Sequence, residues 1–263
     1  MQNAGLATLG LNWRYLAFDV DPRHLRAALD GAKRMGFIGV NLTVPHKLLA
    51  VDMVEALDES ARTWGAVNTV RFEVDANGQT VARGFNTDAD AIVRSLREDL
   101  GVELPGKRVL LLGAGGAGRV AALRLAAEGV AVLYLVNRTE TKAAAVVEEI
   151  RQLHPRVQVQ LGYPKSEVDL LLNATSLGLA ATDASPLDAQ QFSLAQARAV
   201  YDMIYRPAET PLLKAAQAAG CRTANGIGML LYQGAKALEI WTGQPAPVAI
   251  MRRALEANVY GRG

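Results

Sequence analysis

The sequence predicts a two-domain α/β chain, on three observations. A glycine-rich turn stands between an unbroken apolar strand and a helical stretch at residues 109–123. Strands of nearly continuous Val, Leu and Ile then alternate with helical segments as far as residue 221. At 263 residues the chain is long enough for two ordinary cores. Strands apolar on both faces belong to a parallel sheet covered by helices on each side. The boundaries that follow are residues 1–88 with 227–263 for an α/β domain completed by C-terminal helices, and residues 89–226 for a doubly wound domain.

Residues 11–20 and 36–43 read as strands, each rich in aromatic or β-branched residues and bounded by turn formers. Between them, residues 22–35 place Leu25, Ala28, Leu29 and Ala32 at helical spacing, behind Asp21 as N-cap and Pro22 at the first helical position. That is a β-α-β unit. A strand at 66–74, the turn Asp75-Ala76-Asn77-Gly78 and a strand at 80–84 make a hairpin with Asn-Gly as its turn signal. A helix at 87–100 leads into the turn-rich boundary Val102-Glu103-Leu104-Pro105-Gly106. Strands follow at 108–112, 130–136, 157–161, 169–173 and 199–204, with helices at 118–128 and 139–153. Helical segments at 229–241 and 247–259 close the chain and are expected to pack on the first domain.

Composition excludes several classes. Lys plus Arg exceed Asp plus Glu by 28 to 26, so no global field draws the chain to nucleic acid or anionic membrane, and any anion must be held locally. No stretch of about 18 apolar residues appears, and the N-terminus lacks a basic segment followed by an apolar run. The single Cys221 cannot pair within the chain and three scattered histidines make no metal set, which points to a cytoplasmic protein without a bound metal.

The first motif with chemistry is Gly113-Ala114-Gly115-Gly116-Ala117-Gly118, between the strand Val109-Leu110-Leu111-Leu112 and the helix opening at Arg119. In a Rossmann-type unit the first glycine permits the tight turn, the second admits backbone to a pyrophosphate, and the third lets helix and strand pack closely. A glycine turn that merely connects strand to helix is the plainer alternative. A site for NAD would carry Asp or Glu at the end of the next strand; this chain has Asn137-Arg138-Thr139. An arginine fork cannot accept from a ribose hydroxyl but can donate to a 2′-phosphate, which favours NADP. A solvated Arg138 beside Thr139 capping the next helix is the alternative.

Asn41-Leu42-Thr43-Val44-Pro45-His46-Lys47 ends a predicted strand, where Pro45 forces an abrupt turn. A lysine held there can protonate a ketone oxygen or accept the proton of an alcohol. Asp88, in Gly84-Phe85-Asn86-Thr87-Asp88, stands at a helix start. Alone, Lys47 reads equally as a solvated charge and Asp88 as an N-terminal helix charge. Together with Ala66-Val67-Asn68-Thr69, Asn173-Ala174-Thr175-Ser176-Leu177-Gly178 and Asn225-Gly226-Ile227-Gly228-Met229-Leu230, and in this order, these segments resemble the shikimate dehydrogenase family along essentially the whole chain.

The resemblance implies reversible NADP-linked reduction of 3-dehydroshikimate to shikimate in aromatic amino-acid biosynthesis, by a protein that is a monomer or homodimer. It implies Lys47 as acid/base and Asp88 as its hydrogen-bonded partner, with Thr43, Asn68, Tyr205 and Gln233 on the substrate. Thr43 and Asn68 read equally as strand-end hydrogen bonders, and Tyr205 as a wet-edge aromatic. Gln233 lies one helical turn beyond Met229, so both can face the same cleft. Gly113, Ala114, Gly115, Gly116 and Ala117 would hold the cofactor with Asn137, Arg138 and Thr139. Thr175, Ser176, Gly226 and Met229 would line its path. The family's opening strand and Ser-x-Ser pair have no counterpart before Met1-Gln2-Asn3, which predicts either a truncated start or a divergent member with weaker or altered substrate binding. Truncation is the expectation, and a quinate-using relative or a catalytically impaired NADP-binding homologue are the alternatives.

Overall fold

The computed structural model describes residues 1–180 and 182–261. The chain divides into two compact units, Met1–Asp88 with Leu231–Asn258, and Ala89–Leu230 with the segment from Val259. The return to the first unit falls inside a helix, four residues beyond the expected point at Ile227.

In the first unit α1 (Gln2–Thr8) and α2 (Leu25–Arg34) precede β1 (Gly39–Asn41), α3 (His46–Leu49), β2 (Ala56–Leu57), α4 (Glu59–Trp64), β3 (Thr69–Val74) and β4 (Thr80–Phe85). The sheet order is β1-β3-β4-β2. The helical spacing of α2 buries Leu25, Leu29 and Ala32, and Leu25 and Leu29 join Ala50, Ala61, Val67, Val70 and Ala82 in one core. Register then decides where chemistry can lie. The antiparallel ladders set Asn41 opposite Thr69 and Thr69 opposite Phe85. The end of β1, the start of β3 and the end of β4 therefore meet at one edge of the sheet, and the segments holding Thr43 to Lys47, Asn68 and Asn86 to Asp88 all leave from it.

Residues 11–20, expected as a strand, form none. A strand exists only as half of a ladder, and β1 pairs with β3 alone. Side chains tie the segment down instead: Tyr15 donates its hydroxyl to Asn41 Oδ1 at 3.0 Å and tilts against Trp241, while Phe18 rests on Phe37.

Most of α9 (Ile227–Thr242) and α10 (Val248–Tyr260) complete this unit. Trp241 Nε1 donates to Val70 O at 3.0 Å. A Cβ on Gly39 would stand 2.2 Å from that same nitrogen and oxygen, so only glycine fits there. Gln2 Nε2 donates to Gly234 O at 2.9 Å.

The second unit is the doubly wound one. It holds α5 (Asp88–Leu100), β5 (Arg108–Leu112), α6 (Gly116–Ala127), β6 (Val132–Val136), α7 (Glu140–Leu153), β7 (Gln158–Leu161), β8 (Leu170–Asn173), β9 (Ala199–Asp202), α8 (Pro211–Ala218) and β10 (Arg222–Asn225). Its six strands are all parallel, in the order β10-β9-β8-β5-β6-β7. Leu110, Leu111, Leu170, Leu171 and Leu172 are fully buried, the burial on both faces that their unbroken apolar runs foretold. The order reverses between β5 and β8. A crevice opens at such a point, beyond the carboxyl ends of the strands, and here the residues at its rim are Gly113 after β5 and Ala174 after β8. No described helix is long and apolar enough to cross a membrane.

Candidate active site

At the sheet edge of the first unit, Lys47 and Asp88 meet. Lys47 Nζ donates to Asp88 Oδ2 at 2.8 Å, with the lysine side chain 29% and the aspartate 14% exposed. The sequence placed these residues 41 apart; the register of β1, β3 and β4 closes that gap. The turn before Lys47 is closed by His46 N donating to Thr43 O at 2.8 Å, and Lys47 O is held by Val67 N at 2.9 Å. On the other side, Asn86 Oδ1 accepts from Asp88 N at 3.1 Å while its Nδ2 donates to Ala66 O at 3.1 Å. The pair is half-buried and pinned by backbone bonds from both partners, an arrangement that holds an ammonium in place but leaves it reachable.

Asn68 is 1% exposed. Its Oδ1 accepts from Thr87 N at 2.8 Å and its Nδ2 stands 3.0 Å from Thr87 Oγ1, so its amide fixes the residue preceding Asp88. Thr43 is exposed on the loop ahead of Lys47 and Gln233 is half-buried on α9. Tyr205 belongs to the second unit, 38% exposed, and its carbonyl accepts from Tyr260 Oη at 2.9 Å. The structure thus brings Lys47, Asp88 and Asn68 into one bonded group, with Thr43 beside it in sequence.

The glycine loop of the second unit carries its four glycines for three separate reasons. Gly113 has φ +107°, a left-handed value that side chains resist, and a Cβ there would stand 3.0 Å from Ala174 and from Thr175 Cγ2. A Cβ on Gly118 would stand 2.2 Å from Gly113 O. Gly115 and Gly116 meet nothing within 4 Å of where a Cβ would be. The helix α6 has Gly115 as its N-cap, with no side chain capping its first N–H groups. This is the form of a pyrophosphate cradle. Because the atom facing Gly118 is backbone, Gly118→Ala must part α6 from β5. We expect a loss of about 1–3 kcal/mol, read as a lower urea midpoint, together with weakened NADP binding; an unchanged midpoint would contradict the packing role.

Asn137 ties this loop to the next. Its Oδ1 accepts from Ala114 N at 3.0 Å and its Nδ2 donates to Thr139 O at 2.8 Å. Arg138 is exposed between them, and no hydrogen bond or ion pair engages its guanidinium among the described residues. Thr139 is the N-cap of α7, yet its hydroxyl makes no cap bond. Ala117 and Ser176 are exposed and Met229 is half-buried. Gly226 is needed for close approach, since a Cβ would stand 2.0 Å from Met203 O.

Sequence reasoning missed two residues at the end of β9. Tyr201 and Asp202 are both 0% exposed. Tyr201 Oη lies 2.8 Å from Ser95 Oγ, and burial pushes its phenol up, well above the ordinary range. Burial likewise pushes the Asp202 carboxyl up, against hydrogen bonds from Thr210, Ile204 N and Asn173. The signal available was a charged residue at the end of the apolar run Ala199-Val200-Tyr201.

Comparison with known proteins covers the chain in three pieces. Residues 1–70 match the shikimate dehydrogenase substrate binding domain, residues 95–189 shikimate / quinate 5-dehydrogenase, and residues 226–256 the shikimate 5′-dehydrogenase C-terminal domain. A shikimate dehydrogenase (NADP(+)) from Geobacter metallireducens is 43% identical over 98% of this chain and 90% of its own length. A crystal structure of a shikimate dehydrogenase with NADP+ superposes with a TM-score of 0.87 at 35% identity, covering 98% of this chain and 89% of that one. The Thermus thermophilus enzyme, in complex with NADP(H) and shikimate, gives 0.83 at 36% identity over 97% and 92%. The order of its motifs, the arrangement of both sheets and these likenesses agree: the chain belongs to the shikimate dehydrogenase family.

Proposed function

We infer that this protein is an NADP-dependent shikimate dehydrogenase that reduces 3-dehydroshikimate to shikimate reversibly, a step of aromatic amino-acid biosynthesis. The observation that carries the reading is the Lys47–Asp88 pair at 2.8 Å, in a chain that also holds an uncapped glycine-rich helix start and an exposed arginine after β6. Bound NADPH supplies a hydride. Gly115 and Gly116 would leave room for the pyrophosphate, and Arg138 would meet the 2′-phosphate.

Ketone reduction needs a proton at the carbonyl oxygen as its carbon takes hydride. Lys47 has three N–H donors. One is spent on Asp88, which leaves two for the substrate oxygen. Lys47 gives its proton to that oxygen in the forward direction and takes it from the hydroxyl in reverse, while Asp88 holds the ammonium in place. Asn68 bonds a substrate hydroxyl or keeps Asp88 set through Thr87, and Thr43, Tyr205 and Gln233 supply further polar contacts to a hydroxylated carboxylate. The lone Cys221 suits a reducing cytoplasm.

Mixing the protein with shikimate and NADP should produce NADPH absorbance, with NAD a poor substitute. Binding of NADP without turnover at any shikimate concentration would overturn the dehydrogenase reading and leave a cofactor-binding protein.

A further inference from the structure

Asp202 is a fully buried carboxylate that touches none of the residues assigned above, and its surroundings say what it is for. Burying a charge is costly unless every oxygen is bonded. Asp202 Oδ1 accepts from Asn173 Nδ2 at 3.0 Å and from Ile204 N at 3.1 Å, and Oδ2 accepts from Thr210 Oγ1 at 2.6 Å. Asn173 sits opposite Asp202 on the neighbouring strand. Its own Oδ1 accepts from Thr175 N at 3.0 Å and from Thr175 Oγ1 at 2.8 Å, and Thr175 Oγ1 in turn accepts from Leu177 N at 3.2 Å.

An asparagine amide is nearly symmetric in shape, so its orientation is decided by what its two ends face. A carboxylate can only accept. Facing Asp202 and, at 3.4 Å, Leu177 O, Asn173 must turn its NH2 that way, which leaves its oxygen for Thr175. The opposite orientation would set NH2 against the Thr175 N–H and lose bonds at both ends. Thr175 in turn bears on the glycine loop, since its Cγ2 lies 3.0 Å from where a Cβ on Gly113 would be.

We propose that Asp202 is a positioning residue for cofactor binding: it orients Asn173, and through it the 174–177 turn that walls the glycine loop. The inference rests on the NADP reading of that loop. Its contact with Thr210 offers an internal control, because Thr210 is the N-cap of α8 and its hydrogen bonds go to Asp202 and α8, not to the 174–177 turn.

The test is calorimetric titration of NADP into wild type, Asp202→Ala, Asp202→Asn and Thr210→Val, with urea midpoints and steady-state constants on the same preparations. Asp202→Ala should weaken NADP binding about tenfold, the scale of one lost hydrogen bond. The KM for NADP should rise with it, while the KM for shikimate stays put. Asp202→Asn, which can still offer an oxygen to Asn173, should bind within about threefold of wild type. Thr210→Val should lower the urea midpoint and leave NADP binding alone. Should Asp202→Ala fail to fold, Asn173→Ala removes the middle of the relay and is held to the same tenfold loss. Wild-type binding in the variant, or equal losses in it and Thr210→Val, would overturn the positioning role. Failure of wild type to bind NADP would instead overturn the cofactor reading beneath it.

Discussion

Replacing Lys47 by alanine should lower kcat for shikimate oxidation by about 10²–10⁴, the usual worth of a positioned acid/base group. Affinity for NADP, measured by titration, should not change. The reason lies in the distribution of contacts: Lys47 is bonded to Asp88 and held by Val67 N, all within the first unit, while the glycine loop and Arg138 belong to the second. Lys47→Arg separates charge from proton transfer. A guanidinium keeps the positive charge but does not give up its proton, so Lys47→Arg should be nearly as inactive as Lys47→Ala. Asp88→Asn removes the anionic anchor and leaves the amine, so its loss should be smaller. Native turnover in Lys47→Ala would refute the acid/base role, and recovery in Lys47→Arg would reduce the lysine to an electrostatic anchor.

Arg138→Ala should raise the dissociation constant for NADP by roughly 10–150-fold, the loss of hydrogen bonds to a charged group of about 1.5–3 kcal/mol. NAD has no 2′-phosphate, so its affinity should stay as it was and the preference between the two cofactors should largely vanish. Arg138 has no partner among the described residues, so the substitution strands no buried charge and the fold should hold. Arg138→Asp goes further, offering an acceptor where NAD presents ribose hydroxyls, and should improve NAD binding in absolute terms. Raising salt should weaken NADP binding to wild type more than to Arg138→Ala. Equal weakening of NAD and NADP in Arg138→Ala would assign the arginine to adenine stacking and not to phosphate.

Most strands of the second unit were legible to within a residue or two, because a strand buried on both faces must be apolar throughout and a tight turn between such a strand and a helix favours glycine. β5 spans Arg108–Leu112, the expected bounds, one residue ahead of its apolar run. α6 starts two residues before the expected 118, since Gly116 and Ala117 of the loop already take helical form. The first unit was harder. Residues 11–20 have strand composition, but composition cannot say whether a neighbouring strand is there to pair with. The short β2 and α4, and in the second unit α8 and β10, escaped because a few residues carry too little periodicity. At the site, motif order named Lys47 and Asp88 and the family resemblance implied the hydrogen bond between them, but the register of the three strands that brings them together was not legible. Asp202 stayed hidden for the same reason: its bonds to Asn173 and Thr210 are set by the fold.

The first unit is discontinuous in the chain. Gln2 is bonded to Gly234 across 232 residues and Val70 to Trp241 across 171, so during synthesis the N-terminal 88 residues leave the ribosome without the helices that close their core. Residues 89–230 are complete before Leu231 is added. Vectorial folding is therefore expected to run out of sequence order here: all of the second unit but its segment from Val259 is made before Leu231, while the earlier-encoded unit awaits Leu231–Asn258. A stop codon just before α10 would spare the second unit's sheet and strand Lys47 on an unfinished scaffold.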